Sequence, residues 1–248
     1  MLSRINEPRY NKCMKDVFLI GDIHGEFHVL SRLVSEKYDL RDCILICVGD
    51  LGIGFHSGRY FDRMPYDARC SLEIDVLKVA DVMFKERNIL FKSIRGNHDD
   101  KSHFVGKLTD NIELLPDYHT EEINGELWQF IGGGISVDRI NRIRYTSWWP
   151  DEAFELNRDK IVKCDVLVTH IAPYLVRPTE KSNIRYWLDV DGALGEDLIV
   201  ENLAIDTAYD LASPKTHYCG HYHRSVLSAD GERKSRILDI NEVIQHRQ

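Results

Sequence analysis

Gly21-Asp22-Ile23-His24-Gly25 stands where the apolar run Val17 to Ile20 stops, and the reading of the fold starts there. The run reads as a short buried strand, and the glycines allow a sharp turn. Phe27, Leu30 and Val34 then recur at helical spacing, which predicts an amphipathic helix over about residues 26–37. Asp22 and His24 are two residues apart, so continued strand geometry points both to one side. A carboxylate and an imidazole facing the same way begin a metal site. Taken alone, the pair reads equally well as a helix N-cap aspartate and a loop histidine. Recurrence of such groups downstream is what separates the two readings.

They recur. The apolar run Cys43 to Val48 ends in Gly49-Asp50, and Ile89 to Ile94 ends in Arg95-Gly96-Asn97-His98-Asp99. Val166 to Thr169 is capped by His170, and Thr216 to Cys219 leads into Gly220-His221-Tyr222-His223. In open α/β sheets the carboxyl ends of strands are where ligands bind. Five of the eleven histidines sit at such ends beside glycine, asparagine or aspartate, which solvated turns do not explain.

The remaining chain is read around these blocks. Gly52 to Arg59 is rich in glycine but lacks the lysine of a phosphate-binding P-loop, so a nucleotide cradle is rejected. His56 and Arg59 are candidates for touching a phosphate, set against an ordinary solvated loop. Leu72, Val76, Val79, Ala80 and Met83 predict a helix over about residues 69–86. Leu127 to Ile131 reads as a strand, and Gly132 to Glu152 follows it. Pro150 with Asp151 and Glu152 reads as a helix start, running to about Val162. Trp148 and Trp149 before it either stack on a substrate and cover the site or pack that helix on the sheet. Arg139, Arg142 and Arg144 are candidate phosphate contacts, set against a solvated face. Residues 171–190 read as irregular, with Pro173 and Pro178. Leu194 to Leu211 reads as a helix. Val226 to Ala229 and Ser235 to Leu238 flank the hairpin signal Asp230-Gly231.

Length and composition bound the class. The 248 residues suit one domain over 1–248, with 1–15 as an N-terminal arm. Hydrophobic residues are 43% and charged residues 29%, the balance of a globular domain. A formal net charge of −8 argues against an electrostatic grip on nucleic acid or an anionic membrane. No apolar run is long enough to span a bilayer, and the polar start lacks a secretory signal's core, so a cytoplasmic location is expected. The cysteines (Cys13, Cys43, Cys47, Cys70, Cys164 and Cys219) form no C-x-x-C pair, which argues against a finger-type zinc site. Cys43, Cys47, Cys164 and Cys219 lie in apolar runs as buried thiols, suited to a reducing compartment.

Asp22-x-His24, Gly49-Asp50, Gly96-Asn97-His98-Asp99, His170 and Gly220-His221-x-His223, in that order, resemble the calcineurin-like metallophosphoesterase superfamily. Gly132 through Glu152 is similar to its bacterial and phage-type members. The resemblance spans residues 21 to 223 and implies an α/β four-layer fold, a β-sandwich of two mixed sheets flanked by helices. It implies two divalent ions. Asp22, His24, Asp50 and His223 would hold one; Asp50, Asn97, His170 and His221 the other, with Asp50 bridging. His98 would stand just outside as general acid or phosphate contact, its ordinary pKa of about 6.5 lying near working pH. Two ions stabilise both oxygens of an in-line displacement and lower the pKa of bound water from 15.7 to about 7, giving hydroxide. Imidazole and oxygen ligands without thiolate favour Mn, Fe, Zn or Co. The expectation is a metal-dependent phosphoric ester hydrolase acting on a small phosphodiester or nucleotide. Nucleic acid is a less favoured substrate. The alternatives are a serine/threonine-type protein phosphatase and a non-catalytic binding module on the same fold. The superfamily's phosphoprotein phosphatases carry an Asp-Arg-Gly continuation after the second aspartate, where this chain has Leu51-Gly52-Ile53-Gly54-Phe55. The phosphate-gripping arginine and the aspartate that orients the histidine are therefore missing at those positions.

Overall fold

The computed structural model describes residues 15–55, 66–178 and 184–247. It opens with β1 (Asp16–Ile20), α1 (Phe27–Arg32) continued by a wider π turn (Leu33–Lys37), β2 (Cys43–Cys47), α2 (Tyr66–Glu86) and β3 (Leu90–Ser93). Four short strands follow: β4 (Gly106–Lys107), β5 (Ile112–Leu114), β6 (His119–Ile123) and β7 (Glu126–Ile131). The second half holds β8 (Val166–Thr169), α3 (Ile184–Val190), α4 (Leu194–Ala212), β9 (Thr216–Cys219), β10 (Val226–Asp230), β11 (Arg233–Ile237) and β12 (Val243–Gln245).

These strands form two six-stranded mixed sheets. One has the order β12-β1-β2-β3-β5-β4, the other β10-β11-β9-β8-β7-β6. In each sheet four central strands are parallel and the two edges antiparallel.

Strand pleating assigns the apolar residues to layers. Val17 and Leu19 of β1, with Ile44 and Ile46 of β2, face the other sheet, where they meet Trp128, Phe130, Val166 and Val168. Their neighbours Ile20, Cys43, Leu45 and Cys47 face outward onto Phe27, Leu30, Leu77 and Phe84 of α1 and α2. On the far side, Ile131 and Leu167 pack on Ile205, Ala208 and Tyr209 of α4. The result is four layers, helix, sheet, sheet and helix. A strand covered on both faces must be apolar throughout, which is why β2 is an unbroken CILIC run. Each fully buried side chain of this kind contributes about 1.5–3 kcal/mol. Exposed ion pairs such as Lys107–Asp110 are screened by water and contribute little, so apolar burial holds the layers together.

Two expectations are corrected. Residues 150–162 form no α-helix, only a turn and a short 3₁₀ segment at Arg158–Lys160. The carbonyls of Asp151, Glu152 and Ala153, which a helix would use internally, accept from the buried Arg95 guanidinium instead. Within 171–190 a helix does form, α3, beyond the last proline at 178. The chain between β3 and β7 carries three strands that hydrophobic patterning does not reveal, the first only two residues long.

Cys43, Cys47, Cys164 and Cys219 are free and buried, as expected, and Cys13 lies outside the described residues. No helix among the described residues is long and apolar enough to cross a membrane.

Candidate metal centre

The loops after β1, β2, β3, β8 and β9 converge, bringing together residues up to 199 positions apart. The strands end before the ligands begin. His24, Asp50, His221 and His223 have φ of 52°, 48°, 67° and 50°, in the left-handed region. Asp22 and His24 therefore face one site through a tight turn, not through continued strand geometry. Such residues cost of order 1–3 kcal/mol each and persist where the surroundings dictate the conformation.

Asp22, His24, Asp50 and His223 each present a ligand atom, and the four atoms lie within 4.8 Å of one another. His24 Nε2 and His223 Nε2 face each other at 3.1 Å, with His223 Nε2 3.3 Å from Asp22 Oδ2. A second group adjoins the first. His170 Nε2 lies 3.2 Å from Asp50 Oδ1 and 3.1 Å from Asn97 Oδ1, and His221 Nδ1 lies 2.8 Å from the same Asn97 oxygen. Asp50 divides its oxygens between the groups, since Oδ2 is the atom that faces His24, at 3.9 Å. The fold thus brings all seven of these residues together. Two carboxylates, an amide oxygen and four imidazoles fit divalent first-row cations.

Space at the site is tight. A Cβ on Gly96 would lie 2.0 Å from Asp50 Oδ1, and one on Gly220 would lie 2.1 Å from Asp22 Oδ1. Asp22, Asp50, Asn97, His170 and His221 are buried, while the His223 side chain is 43% exposed, so the centre opens to solvent on that side. Burial pushes the Asp50 carboxyl up, but the charges of His170, His98 and His24 hold it well below the usual range. The His170 imidazole, pulled down by burial, is raised to about 9 by the facing Asp50 carboxylate. A cation bound there competes with that proton, because a ligating imidazole must be neutral.

His98 borders the centre. Its Nδ1 faces His24 Nδ1 at 3.1 Å, and its ring stacks on Phe55 with centroids 4.1 Å apart. Its Nε2 lies 2.9 Å from Arg142 Nη2. Arginine only donates, so Nε2 accepts and the imidazole proton sits on Nδ1, the side facing the ligands. Burial, with the Arg142 charge, lowers His98 to about 3, against the pull of Asp50.

Asp99 does not orient His98. Its buried carboxylate accepts from the backbone N–H groups of Leu51, Gly52, Ile53 and Gly96 at 2.7–3.2 Å. It thereby shapes the loop that stands where Asp-Arg-Gly would be.

The candidate substrate contacts fare unevenly. His56 and Arg59 lie outside the described residues. Arg139 is engaged away from the metal centre, with Nε 2.6 Å from Asp191 and Nη2 2.7 Å from Asp197, at the α3–α4 junction. Trp149 is buried, with its ring 6.5 Å from Phe55, and so backs the aromatic that stacks on His98. Trp148 is half-buried beside it. Neither packs a helix on the sheet, since no helix follows. Arg144 is exposed over Tyr145. The residues that sequence reading missed are Phe55, Ser136 and Glu152, together with the His98 contact of Arg142. Ser136, Arg142 and Glu152 lie inside Gly132 to Glu152, and that similarity was the available signal.

Comparison with known proteins agrees with this arrangement. A family profile described as calcineurin-like phosphoesterase matches residues 16–225. The chain is 26% identical over 162 residues to the serine/threonine-protein phosphatase 2B catalytic subunit A1 of Saccharomyces cerevisiae. That match takes in 56% of this chain but 26% of the yeast protein, so the chain spans about a quarter of that relative's length. Among solved structures, TT1561 of Thermus thermophilus aligns with TM-score 0.49 and 9% identity, over 94% of this chain and 98% of that one. A putative 5'-nucleotidase from Staphylococcus aureus aligns with TM-score 0.45 and 14% identity, over 93% of this chain and 50% of that one.

Proposed function

Because the chain belongs to the calcineurin-like phosphoesterase family, a family of binuclear metal-dependent phosphoric ester hydrolases, we propose that it hydrolyses a small phosphodiester or nucleotide-type ester. The observation that carries this reading is the division of Asp50 between two adjoining ligand groups. Asp22, His24, Asp50 and His223 would hold one divalent ion, and Asp50, Asn97, His170 and His221 would hold the other, with Mn, Fe, Zn or Co as the candidate metals. When bound, such a pair supplies Lewis acidity toward the phosphate ester and lowers the pKa of water to about 7.

The protein's own groups do the rest. Asp50 sets the spacing of the two groups and offsets part of their charge. His98, held at Nε2 by Arg142 and with Nδ1 3.1 Å from His24 Nδ1, stands beside the ligands as the general acid or phosphate contact. Arg142 prevents the ring from turning over, because only Nε2 can accept from it. Phe55 and Trp149 shield the other face of His98 from water. The −8 charge and free buried thiols support a small substrate and a reducing, cytoplasmic setting.

A second reading, a phosphoprotein phosphatase, draws on the identity to the yeast enzyme. Against it stands Leu51-Gly52-Ile53-Gly54-Phe55 after Asp50, with no Asp-Arg-Gly.

Metal-stripped protein reloaded with Mn, Co, Zn or Fe decides between them. Bis-p-nitrophenyl phosphate, nucleotides, cyclic nucleotides, dinucleoside polyphosphates and phosphopeptides are assayed with each metal. Hydrolysis of diesters or nucleotides that vanishes with chelator is expected. Turnover confined to phosphopeptides selects the second reading, and none with any metal sinks both.

A further inference from the structure

The segment from Gly132 to Glu152 leaves the end of β7 and folds over the metal centre, and Ser136 is its junction. The Ser136 hydroxyl has three partners: Asn97 Nδ2 at 3.1 Å, Arg142 Nη1 at 2.7 Å and Glu152 Oε2 at 2.8 Å. A hydroxyl has one hydrogen and two lone pairs. The amide nitrogen and the guanidinium only donate, so they take the lone pairs, and the hydrogen goes to Glu152. The other Glu152 oxygen accepts the Ser136 backbone N–H at 2.6 Å. Ser136 and Glu152 are both buried, and neither faces the solvent opening.

These hydrogen-bond directions reach the centre. An asparagine amide can present either its oxygen or its nitrogen by turning over. Here the nitrogen is committed to Ser136, which leaves Oδ1 toward His170 Nε2 and His221 Nδ1. The same hydroxyl also fixes one arm of the Arg142 guanidinium, whose other arm holds His98 and is paired with Asp138 at 2.6 Å. One side chain therefore sets the direction of a ligand and of the histidine beside it.

We propose that Ser136 is a positioning residue which, with Glu152 as its acceptor, aims the Asn97 oxygen at the second ion and braces His98 through Arg142. The inference rests on the reading above that Asn97 ligates a metal. Ser136 and Glu152 touch neither substrate nor ion. They act by removing the alternative orientations of groups that do.

The test is calorimetric titration of Mn²⁺ into the chelator-stripped full chain, for wild type, Ser136→Ala, Ser136→Thr and Glu152→Gln. Circular dichroism and the thermal midpoint check that each is folded. Wild type takes up two ions. Ser136→Ala weakens one of them about 10- to 100-fold, the usual effect of losing a group that orients a ligand, and leaves the other within about threefold. Ser136→Thr, which keeps the hydroxyl, restores the affinity. Glu152→Gln replaces one acceptor oxygen by a donor and weakens the same ion at least tenfold. At saturating Mn²⁺, Ser136→Ala lowers kcat for bis-p-nitrophenyl phosphate at least tenfold with KM within threefold. A folded Ser136→Ala with both affinities within twofold of wild type overturns the proposal, and so does a folded Ser136→Thr that fails to rescue. Should Ser136→Ala not fold, Glu152→Gln decides on the same terms. A wild type that takes up no ions overturns the metal-site reading and this inference together.

Discussion

Replacing Gly220 by alanine tests whether the site depends on carboxylate placement. The added Cβ would meet Asp22 Oδ1 at 2.1 Å and Val48 Cγ2 at 3.1 Å. Ordinary contact is about 3.5 Å, so Asp22 must retreat by more than about 1 Å. It has nowhere to go without loss. It is fully buried, it receives the His221 N–H at 3.0–3.2 Å, and it faces His223 at 3.3 Å. The φ of Gly220 is one that any residue adopts, so the effect comes from space alone. Overpacking of this kind costs about 1–3 kcal/mol. At about 2–4 °C per kcal/mol for a chain of this size, the metal-free midpoint falls by about 2–12 °C. A ligand displaced by about 1 Å costs on the order of 100-fold in turnover. Differential scanning fluorimetry gives the first number, and kcat/KM on bis-p-nitrophenyl phosphate at saturating Mn²⁺ gives the second. Gly192→Ala is the control, because its Cβ would meet nothing within 4 Å. A Gly220→Ala protein with metal affinity and kcat/KM within twofold of wild type refutes the reasoning.

Arg139→Ala breaks the two ion pairs to Asp191 and Asp197, costs about 1 kcal/mol, and leaves kcat/KM within about threefold. A tenfold loss of kcat/KM at unchanged thermal midpoint would return Arg139 to the substrate. Mn²⁺ at a hundred times its Kd stabilises the fold by about 2.7 kcal/mol, and no upward shift of the midpoint would count against the ligand set. His217 is buried between the sheet and α4, and burial lowers it from 6.5 to about 3. Thr169 Oγ1 donates to the Ile171 carbonyl, so it must accept from His217 Nε2 at 2.7 Å, which places the hydrogen of the neutral ring on Nε2. The folded pKa lies below the unfolded one, so the stability from His217 is complete above pH 6.5. It falls by about 1.4 kcal/mol per pH unit between 6.5 and 3. Urea unfolding of wild type and His217→Gln at pH 4 to 7 checks this, and equal slopes would contradict it.

The central strands were legible because the sandwich buries them on both faces. Burial forces runs such as Cys43–Cys47 and Val166–Thr169 to be apolar throughout, and the ligands come straight after them. Edge strands carry no such signal. β6 is the polar His119–Ile123, β4 has two residues, and β12 is a three-residue return that pairs with β1. The helix expected after Pro150 failed for a long-range reason. Arg95, fixed by Asp117 at 2.9 Å, takes the carbonyls of residues 151–153, and Glu152 turns its carboxylate to Ser136. Local propensity at 150–152 is helical, but it cannot register an arginine 57 positions away.

The same distinction explains why the strand-end residues stand out in the sequence and the groups that touch them do not. A ligand must project from a strand end, so it sits beside a glycine and an apolar run, and short-range pattern finds it. An orienting group has only to reach the ligand, and any segment that crosses the site can supply one. In this chain the continuation after Asp50, Leu51-Gly52-Ile53-Gly54-Phe55, holds neither arginine nor aspartate, and Asp99 is committed to that loop. Arg142 therefore reaches His98 across 44 positions of sequence, and Ser136 reaches Asn97 across 39. The lack of Asp-Arg-Gly in residues 51–55 thus marks a change in which segment supports the histidine, and it does not imply that the histidine is unsupported.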